Sequence, residues 1–175
     1  IHAMETLRDQ YLDQVYAFDV NVGDPEQCLK EICLAAADSF ALTGVKDFYT
    51  LHAVTGSRAV WAILNALDWP DSVHREVLAA LWRTILFTHL VRRDDTPAPT
   101  DDTDPLPLWT DLTAAGLRSR DSHITKLIYT CADFYDRWRD RRHHQIAAAA
   151  IARRQAGGRL RGTSVGSKAH LYAGK

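Results

Sequence analysis

An all-α fold, a multi-helix bundle with an extended basic C-terminal tail, is what the sequence predicts, and three observations predict it. Apolar residues recur near every 3.6 positions through most of the chain, and no stretch longer than a few residues alternates as a half-buried strand does. Aspartates and prolines stand just ahead of several of these periodic runs, where helix starts need them. The 175 residues, 46% hydrophobic and 25% charged, fit one folded domain and exclude a disordered or collagen-like chain. A chain of that length hides roughly 70% of the surface it exposes when unfolded, so it needs neither disulfides nor a structural metal to fold.

The elements follow in order. Segment 4–20 places Leu7, Tyr11, Val15 and Phe18 on one stripe and predicts a first helix. Asp24 as N-cap, Pro25 at the first helical position and Glu26 in the first turn predict a second helix, running to about Phe40. A third starts near Val45, carries Phe48, Leu51, His52, Val60 and Leu64, and ends near Asp68, with a disturbance expected at Thr55 and Gly56 because glycine costs about 1 kcal/mol against alanine inside a helix. Pro70 and Asp71 open a fourth through LAALWRTILFTHLVRR, apolar on nearly every face, which predicts a helix buried on most sides at the centre of the bundle. The stretch 94–107, with four of the six prolines, reads as an exposed connection. A short helix is expected around 108–117. A long one, capped by Asp121 or Ser122, is expected from His123 to about Gln155, stopped by Gly157 and Gly158. The helical domain is thus 1–156, and 157–175 is a basic, glycine-rich tail expected to be flexible or ordered only against a partner.

Charge and cysteines narrow the function. Lysine and arginine number 21 against 22 acidic residues, so no chain-wide field draws nucleic acid or an anionic membrane, and neither is expected as a partner. Cys28, Cys33 and Cys131 form no CxxC pair and cannot all pair with one another, which predicts a reduced, cytoplasmic protein. No apolar run reaches the ~20 residues that span a bilayer, and Glu5 and Asp9 stand where a signal peptide would be basic and then apolar. There is no Gly-rich phosphate loop, no GxSxG and no HExxH.

Among eight histidines, location separates candidates from bystanders. His2, His74 and His170 lie at a terminus, in a first helical turn and in the tail. His143 and His144 are adjacent, so their side chains diverge by about 100° on a helix and do not converge on one metal; a solvated face is the expected reading. His52, His89, His123 and Lys126 are instead surrounded by apolar helix. His123 and Lys126, three apart, share a face. Burial of Lys126 would favour its neutral amine, which reacts with carbon dioxide to give a carbamate, an oxygen ligand for a metal. The competing expectation, ahead on the residues alone, is that Lys126 pairs with Asp47 or Asp133. Cys131 and the tryptophans Trp61, Trp82, Trp109 and Trp138 are expected to pack in the core.

The segments DFYTLHAVTGSRAVWAIL, LAALWRTILFTHLVRRDDTP and DSHITKLIYTCADF resemble, in order and spacing, the C-terminal half of the questin oxidase-like family. The family's "lLHxVT" helix, its "W-R-x-x-L-x-x-Y" helix with a proline-containing loop, and its "D-x-H-x-x-K-L" helix start match Leu51–Thr55, Trp82–His89 with Pro97, and Asp121–Leu127. The resemblance covers roughly 45–135.

It implies a cytoplasmic, flavin-independent oxygenase of aromatic natural-product biosynthesis. Such an enzyme acts on polycyclic, anthraquinone-like molecules with dioxygen, by Baeyer–Villiger-type oxidation or oxidative ring cleavage, and the resemblance admits NADPH as a co-substrate. It also implies a non-haem iron centre with a carboxylated lysine, whose ligands here would be His52, His123 and Lys126. Imidazole and carboxylate-type oxygen suit iron(II). His89 stands where the family more often has tyrosine, as a group supporting the ligands or a plain substitution. The family's N-terminal half, with further histidines in an "H-x-x-H" helix, has no counterpart here. The expectation is therefore a subunit or half-enzyme that works as a homo-oligomer or with a second polypeptide. The alternative is a non-catalytic helical interaction or scaffold module whose histidines are satisfied in the core.

Overall fold

Four of the described helices begin behind an aspartate whose carboxylate takes up backbone N–H groups that the first turn leaves unpaired: Asp24, Asp47, Asp121 and Asp140. The computed structural model describes residues 24–92 and 105–157 together with Leu12, Asp13 and Val15. These contain α1 (Pro25–Leu42), α2 (Phe48–Ala66), α3 (Asp71–Arg92), α4 (Trp109–Arg118), α5 (Ser122–Trp138) and α6 (Arg141–Gln155), and among them the fold is all-α. The first expected helix, 4–20, lies outside the described residues except for Leu12, Asp13 and Val15, which are helical. The connection at 93–104 and the tail beyond Gly157 lie outside them too.

α1 and α2 form a tight antiparallel pair. The turn between them places Gly44 and Val45 in the left-handed region (φ 65° and 53°), a conformation that costs a β-branched residue energy. Burial of the Val45 side chain and its N–H bond to the Phe40 carbonyl hold it there. α3 returns antiparallel to α2, so that its last residue, Arg92, reaches the first turn of α2: its Nε lies 3.1 Å from Asp47 Oδ2 and its guanidinium sits 4.3 Å over the Tyr49 ring. α5 runs parallel to α2, as three successive rungs show. His52 meets His123, Arg58 binds Asp133, and Arg137 covers Trp61. α4 approaches α5 closely because Gly116 carries no side chain; a Cβ there would stand 3.2 Å from Ile128 Cγ1. The core runs between the layers through Phe40, Leu51, Leu78, Leu112, Leu127 and Phe134.

Three sequence expectations are corrected. α2 passes through Thr55 and Gly56 without a break, because the helical hydrogen bonds on either side outweigh one glycine. α3 is not the centre of the bundle: only Leu78 and Ile85 are buried, and most of its other apolar residues are half-exposed. Among the described residues it packs on α1 and α2, and apolar composition alone does not create neighbours to bury every face. The long C-terminal helix is two helices. Arg139 turns the chain in the left-handed region (φ 54°), Asp140 caps a new start, and α6 folds back on α5, α1 and α4.

Arg139 lacks glycine's freedom at that positive φ, a conformation that costs an L-residue about 1–2 kcal/mol. Its ion pair with Asp136 is exposed and contributes little. Arg139→Gly is therefore expected to stabilise the protein by about 1 kcal/mol in urea unfolding. An unchanged or lower midpoint would show that the α5–α6 turn stores no strain. Among the described residues no helix is long and apolar enough to cross a membrane.

Candidate functional site

The first turns of α2 and α5 lie side by side because the two helices are parallel, and each carries a histidine there. On α2, Asp47 accepts from the N–H groups of Tyr49 and Thr50 at 3.0 and 2.9 Å and so fixes the start of the helix. Phe48 and His52, one turn apart, then share a face, with ring centroids 4.2 Å apart. The His52 Nδ1 lies 2.7 Å from the Phe48 carbonyl oxygen. A carbonyl can only accept, so in the neutral ring the proton sits on Nδ1 and the lone pair on Nε2 is left over.

On α5, Asp121 does two things with one oxygen. Its Oδ1 accepts from the His123 backbone N–H at 3.0 Å, capping the helix, and lies 3.0 Å from His123 Nδ1. In the neutral ring this again puts the proton on Nδ1 and frees Nε2. Histidines that bind metal through Nε2 are usually held this way, with the other nitrogen donating to a carboxylate or a backbone carbonyl.

The two rings meet at 5.2 Å between centroids, inclined at 62°, and Phe48 packs on His123 at 5.0 Å. The structure thus brings together His52 and His123, 71 positions apart in sequence. It does not enclose them: His52 is exposed and the His123 side chain is about a third exposed.

Lys126 follows one turn along α5 and is exposed, which corrects the expectation of a buried amine. The buried stripe of α5 is Ile124, Leu127, Ile128, Cys131 and Phe134, and position 126 falls off it. The two suggested carboxylates meet arginines: Asp47 is bound by Arg92 and Asp133 by Arg58. His89 sits on a different seam, its Nδ1 3.2 Å from Ser39 Oγ of α1. Among the described residues no group of three or more histidine, cysteine, aspartate or glutamate side chains could hold a metal ion. Two imidazoles in the right tautomer fill two positions of a metal's shell and no more.

The cysteines are free and buried. Burial pushes the Cys33 and Cys131 thiols far above their ordinary range, and Cys28 upward too, with Glu31 adding to it. None is a poised thiolate. Cys131 belongs to the core, and Trp61, Trp82, Trp109 and Trp138 pack against it, as the sequence predicts.

The largest surprise is His143. Expected on a solvated face, it is fully buried on α6, against Phe134 and Trp138 at 5.3 and 6.2 Å between ring centroids, with neither ring nitrogen hydrogen-bonded. The signal was present: His143, Ile146, Ala147, Ala150 and Ile151 fall at the i, i+3, i+4, i+7, i+8 spacing of a buried stripe. Its neighbours Arg141 and Arg142 disguised it. His144 points elsewhere, stacked on Trp109 at 4.4 Å with Nε2 donating to the Pro107 carbonyl at 2.8 Å.

Comparison with known proteins adds one finding. The sequence model of the Questin oxidase-like family matches residues 2–131, a span that includes α1 to α4, both site histidines and Lys126, and stops before α6. No curated protein and no solved structure matches the chain.

Proposed function

The chain belongs to the Questin oxidase-like family, and from that premise we propose that it is part of an oxygenase of aromatic polyketides, supplying His52 and His123 as one edge of a non-haem iron centre. The observation that carries this reading is the shared tautomer: two imidazoles from separate helices, their Nδ1 atoms both engaged and their Nε2 atoms both left to coordinate. Iron(II) bound there would supply dioxygen activation at an open coordination position. The chain's own residues do the rest. Asp121 and the Phe48 carbonyl hold the rings in their coordinating tautomer, and Phe48 packs beside both rings as an apolar wall.

Lys126 is the third ligand in this reading, as its carbamate. Lys126 is exposed in the single chain, so this reading takes the surroundings favouring the carbamate, and the remaining donors, from an assembly. This reading takes the assembly to be with a second copy or with a polypeptide carrying the family's histidine-rich half; Val77 and Leu81 of α3, which touch the core yet stay partly exposed, are consistent with it. The substrate is an anthraquinone-like aromatic, oxidised by Baeyer–Villiger-type insertion or ring cleavage, with NADPH as a co-substrate. A non-catalytic helical module is the second reading, favoured by the lack of a third donor among the described residues.

Anaerobic iron(II) loading, followed by elemental analysis of the purified protein as isolated with its partners, separates the two. The enzymatic reading expects bound iron that falls at least tenfold in His52→Ala and in His123→Ala, with α-helical content unchanged. Iron retained in both variants, or none bound by the wild type, would overturn it.

A further inference from the structure

Burying a histidine with both ring nitrogens unpaired is costly, because a polar group taken from water without a partner forfeits its hydration. His143 bears that cost in the first turn of α6, four residues past the left-handed turn at Arg139. α6 is the last of the described helices and packs on α5, α1 and α4 from one end of the chain. We propose that α6 is an acid-released latch: protonation of His143 undocks it from α5 and α1, while α2 and the helices around it stay folded.

The surroundings of His143 fit that role. α5 presents it with the apolar rings of Phe134 and Trp138. α4 brings Trp109 against its neighbour His144 rather than a carboxylate against it. From α1, Asp38 is taken up by Arg142 at 3.0 Å. The charges acting on the ring are Asp140, which favours protonation, and Arg142, which opposes it, and burial outweighs both. An imidazolium here would also face the positive end of its own helix. Asp140 is held below the usual carboxylate range by its hydrogen bonds from Arg142, so it stays charged while His143 titrates.

Burial lowers the His143 pKa from 6.5 to about 4. The released state therefore binds the proton more tightly than the docked one. Docking keeps its full stability above about pH 6.5 and loses it progressively as pH falls toward 4. From pH 7.5 to 5 the opening equilibrium should shift by roughly thirtyfold.

Amide-exchange protection factors at the two pH values, in the full chain, test this. In the wild type, α6 should lose roughly thirtyfold protection while α2 keeps its own, and in His143→Leu α6 should keep its protection at both pH values. Equal loss in α2 and α6 would mean that the whole bundle opens, and an undiminished pH effect in His143→Leu would mean that another group is the sensor; either overturns the proposal. Should the variant fold poorly, NMR titration of the wild-type His143 ring decides: a value near 4 supports the latch, and one near 6.5 overturns it.

Discussion

Phe40→Ala is expected to cost about 3–5 kcal/mol, the range for removing a fully buried phenylalanine from a core that cannot collapse around the gap. Phe40 is 0% exposed near the end of α1, within the core cluster that joins α1 to α2, α3 and α6. Its backbone carbonyl accepts from Thr43 Oγ1 at 2.8 Å and from the N–H groups of Thr43 and Val45. A shift of the α1 end would therefore disturb the left-handed turn and, through it, the start of α2. Against a total stability of about 5–15 kcal/mol for an ordinary domain, the loss should lower the melting temperature by about 10 °C in a protein of this size. Leu117→Ala, at a leucine 72% exposed on α4, is the control and should stay within about 0.5 kcal/mol of wild type. Similar losses in the two variants would mean that the α1 end is not the close-packed centre described.

If His123 binds iron as proposed, Asp121 separates stability from metal affinity, since one oxygen serves both the helix cap and the His123 ring. Asp121→Asn keeps a capping side chain, as asparagine caps about as well as aspartate, but removes the negative charge beside the imidazole. Iron(II) affinity should fall about tenfold or more with little change in the unfolding midpoint, as happens when the group behind a metal-binding histidine is altered. Asp121→Ala removes both and should also cost about 1 kcal/mol of stability. Titration with iron(II) under anaerobic conditions and denaturant melts read the two quantities independently. Equal iron affinity in wild type and both variants would show that Asp121 is a helix cap and nothing more.

Much of the fold was legible because its helix starts are written in aspartate. Asp24 with Pro25, Asp71 and Asp121 each mark a start that the structure confirms within a residue or two. Asp140 does the same work, yet it lies inside a run of arginines with good helix propensity, and the turn before it is made by Arg139, a residue type that gives no warning of a positive φ. So one helix was expected where two exist.

Burial was harder to read than helicity. Apolar neighbours in sequence predict burial for His52 and Lys126, whereas position along the stripe decides: α2 buries Thr50, Leu51, Val54, Ser57 and Leu64, and His52 falls between them. The same stripe logic, applied to α6, would have found His143. What no periodicity reveals is the meeting of His52 with His123, because it depends on α5 docking parallel to α2 across a connection that carries no pattern of its own. The family resemblance named both residues; the tautomers and the 5.2 Å ring contact come from the fold.

The parallel pairing of α2 with α5 also bears on time. α1, α2 and α3 follow one another through short turns, so their contacts close small loops. The Arg58–Asp133 bond spans 75 positions and His52–His123 nearly as many, and loops of that length lose more entropy before any contact repays it. Folding that runs from local to distant contacts joins the three antiparallel helices first and brings the two imidazoles together afterwards. A chain halted at that earlier stage has much of its helix and half of its core, and no site.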